Sequence, residues 1–414
     1  MCGSGRPGGA RTQVVAGRAS HHLPARDATG TVALVSHPPA PYHVGIAGAG
    51  QLAQMTVLAA WPLGIRVAVL GRPGEPAAGP AAGLVEGDWH DADALLRIGR
   101  EVGVLTLENE FVDARHLAAV AAAGTPVRPD PERMATVQDK ALQKIALREA
   151  GLPVPTFVVP DSAADLAAAG RDLGWPLMLK ARTLGYDGYG NALCHDLAEA
   201  ERAYPHLAER GGGVLAEAFV DFRRELAVMV ARRHGGGDAV YPVVETRQHD
   251  HVLRELLCPA PGDPAVAHEA KRVARAAAEA VAGAGVTGVE MFQTADGRIL
   301  VNEIAPRPHN SGHHTIEACI TSQFENHLRG ILGLPLGPTE LIAPGAALVN
   351  LLGDRDGPSH PDISEAAAIG GAHVHLYGKA DVRVRRKMGH VTALGARPED
   401  ALETARRAAA LVRL

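Results

Sequence analysis

The 414-residue chain is 46% apolar but only 4% aromatic, so its cores must be built mainly from Ala, Val and Leu. Two or three domains fit that length. A net charge of −5 argues against a nucleic-acid carrier, which shows a basic excess, and no run approaches the ~20 apolar residues of a transmembrane helix. Cys2, Cys194, Cys258 and Cys319 are widely separated, with no C-x-x-C pair, so neither a disulfide framework nor a zinc site is signalled and a reducing cytoplasm fits.

Residues 1–40 are rich in Gly, Ala, Pro, Arg and Ser, and Asp27 is their one acid. Such composition forms no core and is expected to be a disordered tail; an organelle transit peptide is the alternative. Val44–Ala47 then reads as a strand, Gly48-Ala49-Gly50-Gln51-Leu52 as a glycine-rich turn opening a helix through Ala60, and Arg66–Leu70 as a second strand. This βαβ opening matches G-x-G-x-x-A, where phosphate can sit at a helix N-terminus. A dinucleotide site needs an acid after the second strand, and Gly71-Arg72-Pro73-Gly74 stands there instead. The oxidoreductase reading is therefore demoted.

Asp91–Val102 is expected as a helix and Val104–Leu107 as a strand ending in Glu108-Asn109-Glu110, where α/β proteins bind ligands unless the loop is simply solvated. Pro129 and Pro131 mark a boundary. Gln138–Ala150 follows as a helix with Lys140 and Lys144 one turn apart, by default a solvated basic face. A small α/β unit comes next: strand 157–159, helix 162–173, and strand 176–180 ending in Lys180. The loop Arg182–Asn191 carries three glycines in six residues, whose backbone N–H groups can approach phosphates, yet it is no Walker A loop.

Val214–Val220 reads as a strand containing Glu217, Arg224-Glu225 leads a strand through Val230, and Ala239–Val244 is another. Asp263–Ala282 is an amphipathic helix opened by Asp263-Pro264. Two apolar runs then flank Ala295-Asp296-Gly297-Arg298, a β-hairpin with one acid in each arm, Glu290 and Glu303. Carboxylates in apolar strands are costly to bury without a cation, and paired strands could hold both at one Mg²⁺ (Mn²⁺ being a substitute). The polar loop Arg307–His313 follows directly. His309 and His313 are four apart, but a zinc pair of that spacing needs a helix, which Pro308 and Gly312 oppose. Beyond Pro344 come strands 346–352 and 373–377, a hairpin-like segment Lys379–His390 with five basic residues, and a helix over 398–412. A charge run is usually solvated, but in an acidic chain this one suggests an anionic ligand.

The order of these parts is that of an ATP-grasp enzyme. The chain resembles the 5-(carboxyamino)imidazole ribonucleotide synthases, ATPase subunits of phosphoribosylaminoimidazole carboxylase. The resemblance rests on Gly48–Leu52, Gly185–Gly190, Asn302–His313 and Arg386–His390, and runs from about Val44 to the C-terminus. The last two blocks are the narrow ones.

What the resemblance implies is an α/β ATP-grasp fold with a Rossmann-like domain over 41–135, an ATP-grasp domain over 136–335 (small subdomain about 155–220), and a β-rich domain over 336–414. The implied reaction joins bicarbonate to the amine of 5-aminoimidazole ribonucleotide through carboxyphosphate, using ATP, in purine biosynthesis. ATP would meet Lys140, Lys180, the loop Gly185, Tyr186, Asp187, Gly188, Tyr189, Gly190 and Asn191, the strand Glu217, Ala218, Phe219 and Val220, then Glu225, Gln248, Asn302 and Glu303. Lys140 stands where the family usually has arginine, and Gln248 where many members have histidine. Glu290 and Glu303 would bind the metal. The ribonucleotide would meet Gln51, Leu52, Glu108, Asn310 and Ser311, with Lys379, Arg386 and Lys387 on its phosphate. Tyr186, Asp187, Arg307 and His309 would surround the reacting carboxylate and amine. A cytoplasmic homodimer is expected, with the mutase that follows as a separate protein. Rivals are another ATP-grasp ligase, such as a formate-dependent glycinamide ribonucleotide transformylase or a biotin carboxylase, and an inactive nucleotide-binding protein.

Overall fold

The computed structural model describes residues 40–185, 190–250 and 252–414; the expected tail (save its last residue) and loop residues Tyr186, Asp187, Gly188 and Tyr189 lie outside them. Apolar residues recur in short unbroken runs where both sheet faces are covered. The first is β1 (Tyr42–Ala47), followed by α1 (Gln51–Ala60), β2 (Val67–Gly71), β3 (Gly83–Glu86), α2 (Ala92–Glu101) and β4 (Val102–Leu107). They make a parallel sheet in the order β3-β2-β1-β4. α3 (Ala114–Ala122) and α4 (Pro131–Gln138) close this unit.

The helix expected over 138–150 begins two residues later, at Lys140, because Gln138 still belongs to α4. Asp139 ends α4 and caps α5 (Lys140–Glu149), its carboxylate accepting from the backbone of Ala141 and Leu142, as capping residues do. The basic face of α5 is not solvated: Lys144 is only 2% exposed and Lys140 only 13% at the side chain. Strands β5 (Phe157–Val158), β6 (Leu177–Ala181), β7 (Asn191–Cys194) and β8 (Val214–Ala218) form a small antiparallel sheet, β5-β8-β6-β7, backed by α6 (Leu166–Leu173) and α7 (Leu197–Gly211).

The main sheet has nine strands. In chain order these are β9 (Phe222–Arg232), β10 (Asp238–Val240), β11 (Val244–His249), β12 (Val252–Cys258), then, after α8 (Pro264–Val281), β13 (Gly285–Thr294) and β14 (Ile299–Ala305). After α9 (Thr315–Ala318) and α10 (Gln323–Leu332), β15 (Gly345–Leu352), β17 (Ala372–Leu376) and β19 (Lys387–Gly395) join the same sheet, while β16 (Gly357–Pro358) and β18 (Asp381–Val382) pair with each other. The order is β14-β13-β9-β11-β12-β15-β19-β17, with β10 on β9. Helix α11 (Ser364–Ala367) and helix α12 (Pro398–Ala409) complete the chain, α12 packing on β15 and β19. The strand expected over 239–244 is thus two short ones, β10 and the start of β11. The basic segment 379–390 is likewise no hairpin, because β18 leaves to meet β16 and the partners of β19 are β15 and β17. Alanine does much of the packing, as the low aromatic content required: Ala270, Ala274, Ala277 and Ala278 of α8 are fully buried against β9, β13 and β14. No helix among the described residues is long and apolar enough to cross a membrane.

Gly389 explains one motif glycine. A Cβ there would lie 2.2 Å from the carbonyl oxygen of His375 on β17, closer than van der Waals contact allows. Gly389→Ala should therefore cost about 2 kcal/mol or more, seen as a lower urea midpoint. Gly79→Ala, where nothing lies within 4 Å, should shift stability by no more than about 0.5 kcal/mol.

Candidate active site

The hairpin β13–β14 sets Glu290 directly opposite Glu303. Residues opposite each other in an antiparallel pair share a face, so both carboxylates point into one cavity of about 530 Å³ between the small sheet and the main sheet. Burial first, then the Glu303 and Glu225 charges, push Glu290 up to about 8. Burial alone pushes Glu225, also in this cavity, up to about 7. Glu303 behaves differently. Burial would raise it too, but Lys140 Nζ, 2.5 Å from its Oε1, outweighs burial and holds it below the usual range.

The following loop turns the chain back over the hairpin. Gln323, at the start of α10, accepts from the N–H of His309 at 3.0 Å and donates to its carbonyl at 2.8 Å. Gly288 makes room, since a Cβ there would be 2.7 Å from the His309 Cβ. The imidazole places Nε2 3.6 Å from Glu290 and Nδ1 2.7 Å from Ser311 Oγ. Burial first, then the Arg307 and Lys387 charges, push its pKa down to about 3. His309 is therefore neutral at physiological pH, and its contact with Glu290 is not an ion pair. Arg307 is gripped by Glu110, which accepts from Nε and, at 2.9 Å, from Nη2. Asn310 exchanges hydrogen bonds with Asn350 at 3.1 and 2.6 Å.

At the other end of the cavity stand Lys180, Asn191, the strand end Glu217 to Val220, and an apolar wall that includes Met178, Leu193, Phe222 and Phe292. The two phenyl rings stack at 4.6 Å. Lys180 Nζ lies 2.7 Å from Glu217 and 3.1 Å from Asn302 Oδ1. The glycine loop is pinched at its base, where Ala181 N–H donates to the Gly190 carbonyl at 2.7 Å.

The glycine turn before α1 is already occupied. Glu108 accepts from the N–H of Gly50 at 2.5 Å and of Leu52 at 3.2 Å. A Cβ on Gly50 would sit 2.2 Å from that carboxylate. These glycines admit a protein acid where a dinucleotide enzyme would place its pyrophosphate, a further reason against the oxidoreductase reading.

Comparison with known proteins agrees with this geometry. Profiles of a ribonucleotide synthetase preATP-grasp domain, an ATP-grasp domain and a phosphoribosylaminoimidazole carboxylase C-terminal domain match residues 42–138, 145–324 and 346–404. The N5-carboxyaminoimidazole ribonucleotide synthase of Synechococcus elongatus is 41% identical over 353 residues, which is 84% of this chain and 89% of that one. The chain belongs to the N5-carboxyaminoimidazole ribonucleotide synthase family. It is an ATP-grasp ligase. The phosphoribosylaminoimidazole carboxylase of Schizosaccharomyces pombe is also 41% identical, over 86% of this chain, but the chain spans only 66% of that longer protein. Among solved structures, the Aspergillus clavatus synthase in complex with ADP and 5-aminoimidazole ribonucleotide matches with a TM-score of 0.81 at 35% identity, covering 89% of this chain and 98% of that one.

Within this N5-carboxyaminoimidazole ribonucleotide synthase fold, most of the expected contacts face the cavity. Gln51, Leu52, Lys180, Gly185, Asn191, Glu217, Ala218, Phe219, Val220, Glu225, Gln248, Glu290, Asn302, Glu303, Arg307, His309, Asn310 and Lys387 all line it. Lys140 lines an adjoining cleft of about 460 Å³ on the far side of its pair with Glu303. Several expected contacts stand behind the wall. Ser311 is fully buried beneath His309, and Glu108 is spent on the α1 backbone. Lys379 does not reach the lining but donates to the Lys387 carbonyl at 2.6 Å. Arg386 does not reach it either and donates to the Asp381 carbonyl at 2.9 Å. Gln323 went unread, and Glu110 was read only as part of the polar run after β4, without its partner Arg307.

Lys144 was misread. Its ammonium lies 3.0 Å from Glu217 Oε1 and 3.1 Å from the Val301 carbonyl, so Glu217 sits between two lysines. Burial alone would raise Glu217, but Lys144 and Lys180 outweigh it and hold it at about 2. Burial pushes Lys144 down to about 8, against the pull of Glu217. The ionised Glu217 thus contributes stability fully above its ordinary value of 4.5, and this is lost as pH falls toward 2. Glu217→Gln should destabilise the fold by about 3–5 kcal/mol, because it leaves buried ammoniums unpaired. Adding Lys144→Met should recover part of that loss. Urea unfolding at several pH values checks both, and the variant should show a shallower decline than wild type between pH 4.5 and 2.

Proposed function

We propose that this site joins bicarbonate to the amine of 5-aminoimidazole ribonucleotide at the expense of ATP, giving N5-carboxyaminoimidazole ribonucleotide, ADP and phosphate. One observation carries the reading: an in-register acid pair, Glu290 and Glu303, opens on the same cavity as Lys180, Arg307 and His309. The first groups suit phosphoryl transfer, and the last two suit a small planar anion and its acceptor amine.

The adenine fits the apolar wall of Phe222, Phe292, Met178 and Leu193, with Glu225 available to the ribose hydroxyls. Lys180, held by Glu217 and Asn302, meets the phosphates as a fixed point charge. Glu290 and Glu303 suit Mg²⁺, which takes one or two carboxylates and leaves its other positions to phosphate and water. No larger group of His, Cys, Asp or Glu that could hold a metal is found among the described residues. Burial and the Glu303 charge make ionised Glu290 costly, a cost that a cation beside it would relieve. When bound, the ion neutralises charge on the phosphates during transfer.

Bicarbonate oxygen takes the γ-phosphoryl group, giving carboxyphosphate, and the amine then captures the carboxyl group as phosphate leaves. Arg307 offers N–H groups to the carboxylate, neutral His309, whose Nδ1 accepts from the Ser311 N–H, turns Nε2–H toward the reacting groups, and the proton the amine loses leaves with the phosphate. The ribonucleotide lies toward Gln51, Leu52, Asn310 and Lys387, and Lys387 carries positive charge for its phosphate. Carboxyphosphate is short-lived in water, so the glycine loop 185–191 is assigned the part of cover.

ADP release from Mg-ATP should depend on both bicarbonate and 5-aminoimidazole ribonucleotide. Stimulation by formate with glycinamide ribonucleotide instead would make the protein a different ligase. Glu303→Gln should lower turnover by about 100-fold or more with an unchanged circular dichroism spectrum, and near-normal turnover would remove the acid pair from the chemistry. Because a metal must displace the Glu290 proton, Mn²⁺ affinity with nucleotide, followed by electron paramagnetic resonance, should rise with pH and level off above about 8.

A further inference from the structure

We infer that Glu110 is a positioning residue for the carboxylation step, turning one edge of the Arg307 guanidinium toward the bicarbonate-derived group. The inference rests on the reaction proposed above. Glu110 follows β4, and Arg307 follows β14, 197 residues later. Both line the main cavity, with side chains 21% and 16% exposed.

The hydrogen bonds define what the arginine has left. Its Nε–H and one N–H of Nη2 go to the two oxygens of Glu110. One N–H of Nη1 goes to the Pro308 carbonyl at 3.1 Å. A guanidinium has five N–H donors in a rigid plane, so two remain among the described residues, one on each Nη. Two parallel donors on one edge match two oxygens of a planar carboxyl group. A guanidinium without Glu110 could rotate about its last side-chain bonds and present that edge elsewhere.

The acid serves its partner rather than the substrate. Burial would raise Glu110, but the Arg307 charge outweighs it and keeps the carboxylate ionised. The pair is also part-buried, so losing one member does more than remove a surface contact. Glu110 further lines the adjoining cleft beside Lys140 and Glu303. The strut therefore spans the N-terminal sheet unit and the hairpin loop at the point where the two cavities meet.

The test is kinetic. Glu110→Gln should raise the KM for bicarbonate by about 10-fold to 100-fold, with the KM for ATP within about twofold of wild type. ADP released should then exceed ribonucleotide carboxylated, because the activated intermediate is lost to water. Glu110→Asp, which keeps the charge but not the reach, should fall between the two and covers the case in which Glu110→Gln does not fold. An unchanged bicarbonate KM with one-to-one coupling in either folded variant would overturn the inference, as would equal rises in KM for ATP and bicarbonate. If the wild-type protein itself shows no dependence on bicarbonate, the proposed reaction fails instead, and the two failures are told apart by that control.

Discussion

Everything at this site depends on neutralising acids that the fold places out of bulk water. Glu217, Glu290, Glu303 and Glu110 converge on one region, and Lys144, Lys180, Lys140 and Arg307 answer three of them. Among the described residues Glu290 has no such full-strength partner. The neutral His309 is its near neighbour, and its affinity for protons rises accordingly. A buried pair is costly to assemble but still more costly to break, so these contacts fix where the strands and α5 meet. The same balance leaves a deficit of positive charge at Glu290, where phosphates and a divalent ion would arrive together.

The local features were legible because their causes are local. Two apolar runs around Ala295–Arg298 announced the hairpin, and the shared face of Glu290 and Glu303 follows from strand pairing. Lys180 before the glycine loop and Asp263 before α8 were readable for the same reason. Gly48 and Gly50 were seen but understood only in part. They were read as a turn where phosphate can sit at a helix N-terminus, yet the group that approaches them is Glu108.

What could not be read depends on distant partners. Lys144 looks like a solvated residue until Glu217, on β8, is placed beside it. Gln323 has no motif, and its role exists only because α10 begins against the backbone of His309. The basic run near Lys387 was noticed, but its charge alone could not say which members face inward. β18 pairs with β16, and of Lys379, Arg386 and Lys387 only Lys387 reaches the cavity lining.

The nine-stranded sheet has a geometric consequence. From β13, which carries Glu290, to β19, which begins with Lys387, there are five inter-strand steps. At about 4.8 Å each, a flat sheet would hold those strands about 24 Å apart. Both residues nevertheless border one cavity, and Lys387 is close enough to act electrostatically on Glu290 and His309. The sheet must therefore curl, with the reacting groups inside the curve. The span between the phosphoryl-transfer end and the ribonucleotide end is then set by curvature, and twist-altering changes in β11, β12 or β15 could retune the reach of the site without touching a substrate-facing residue.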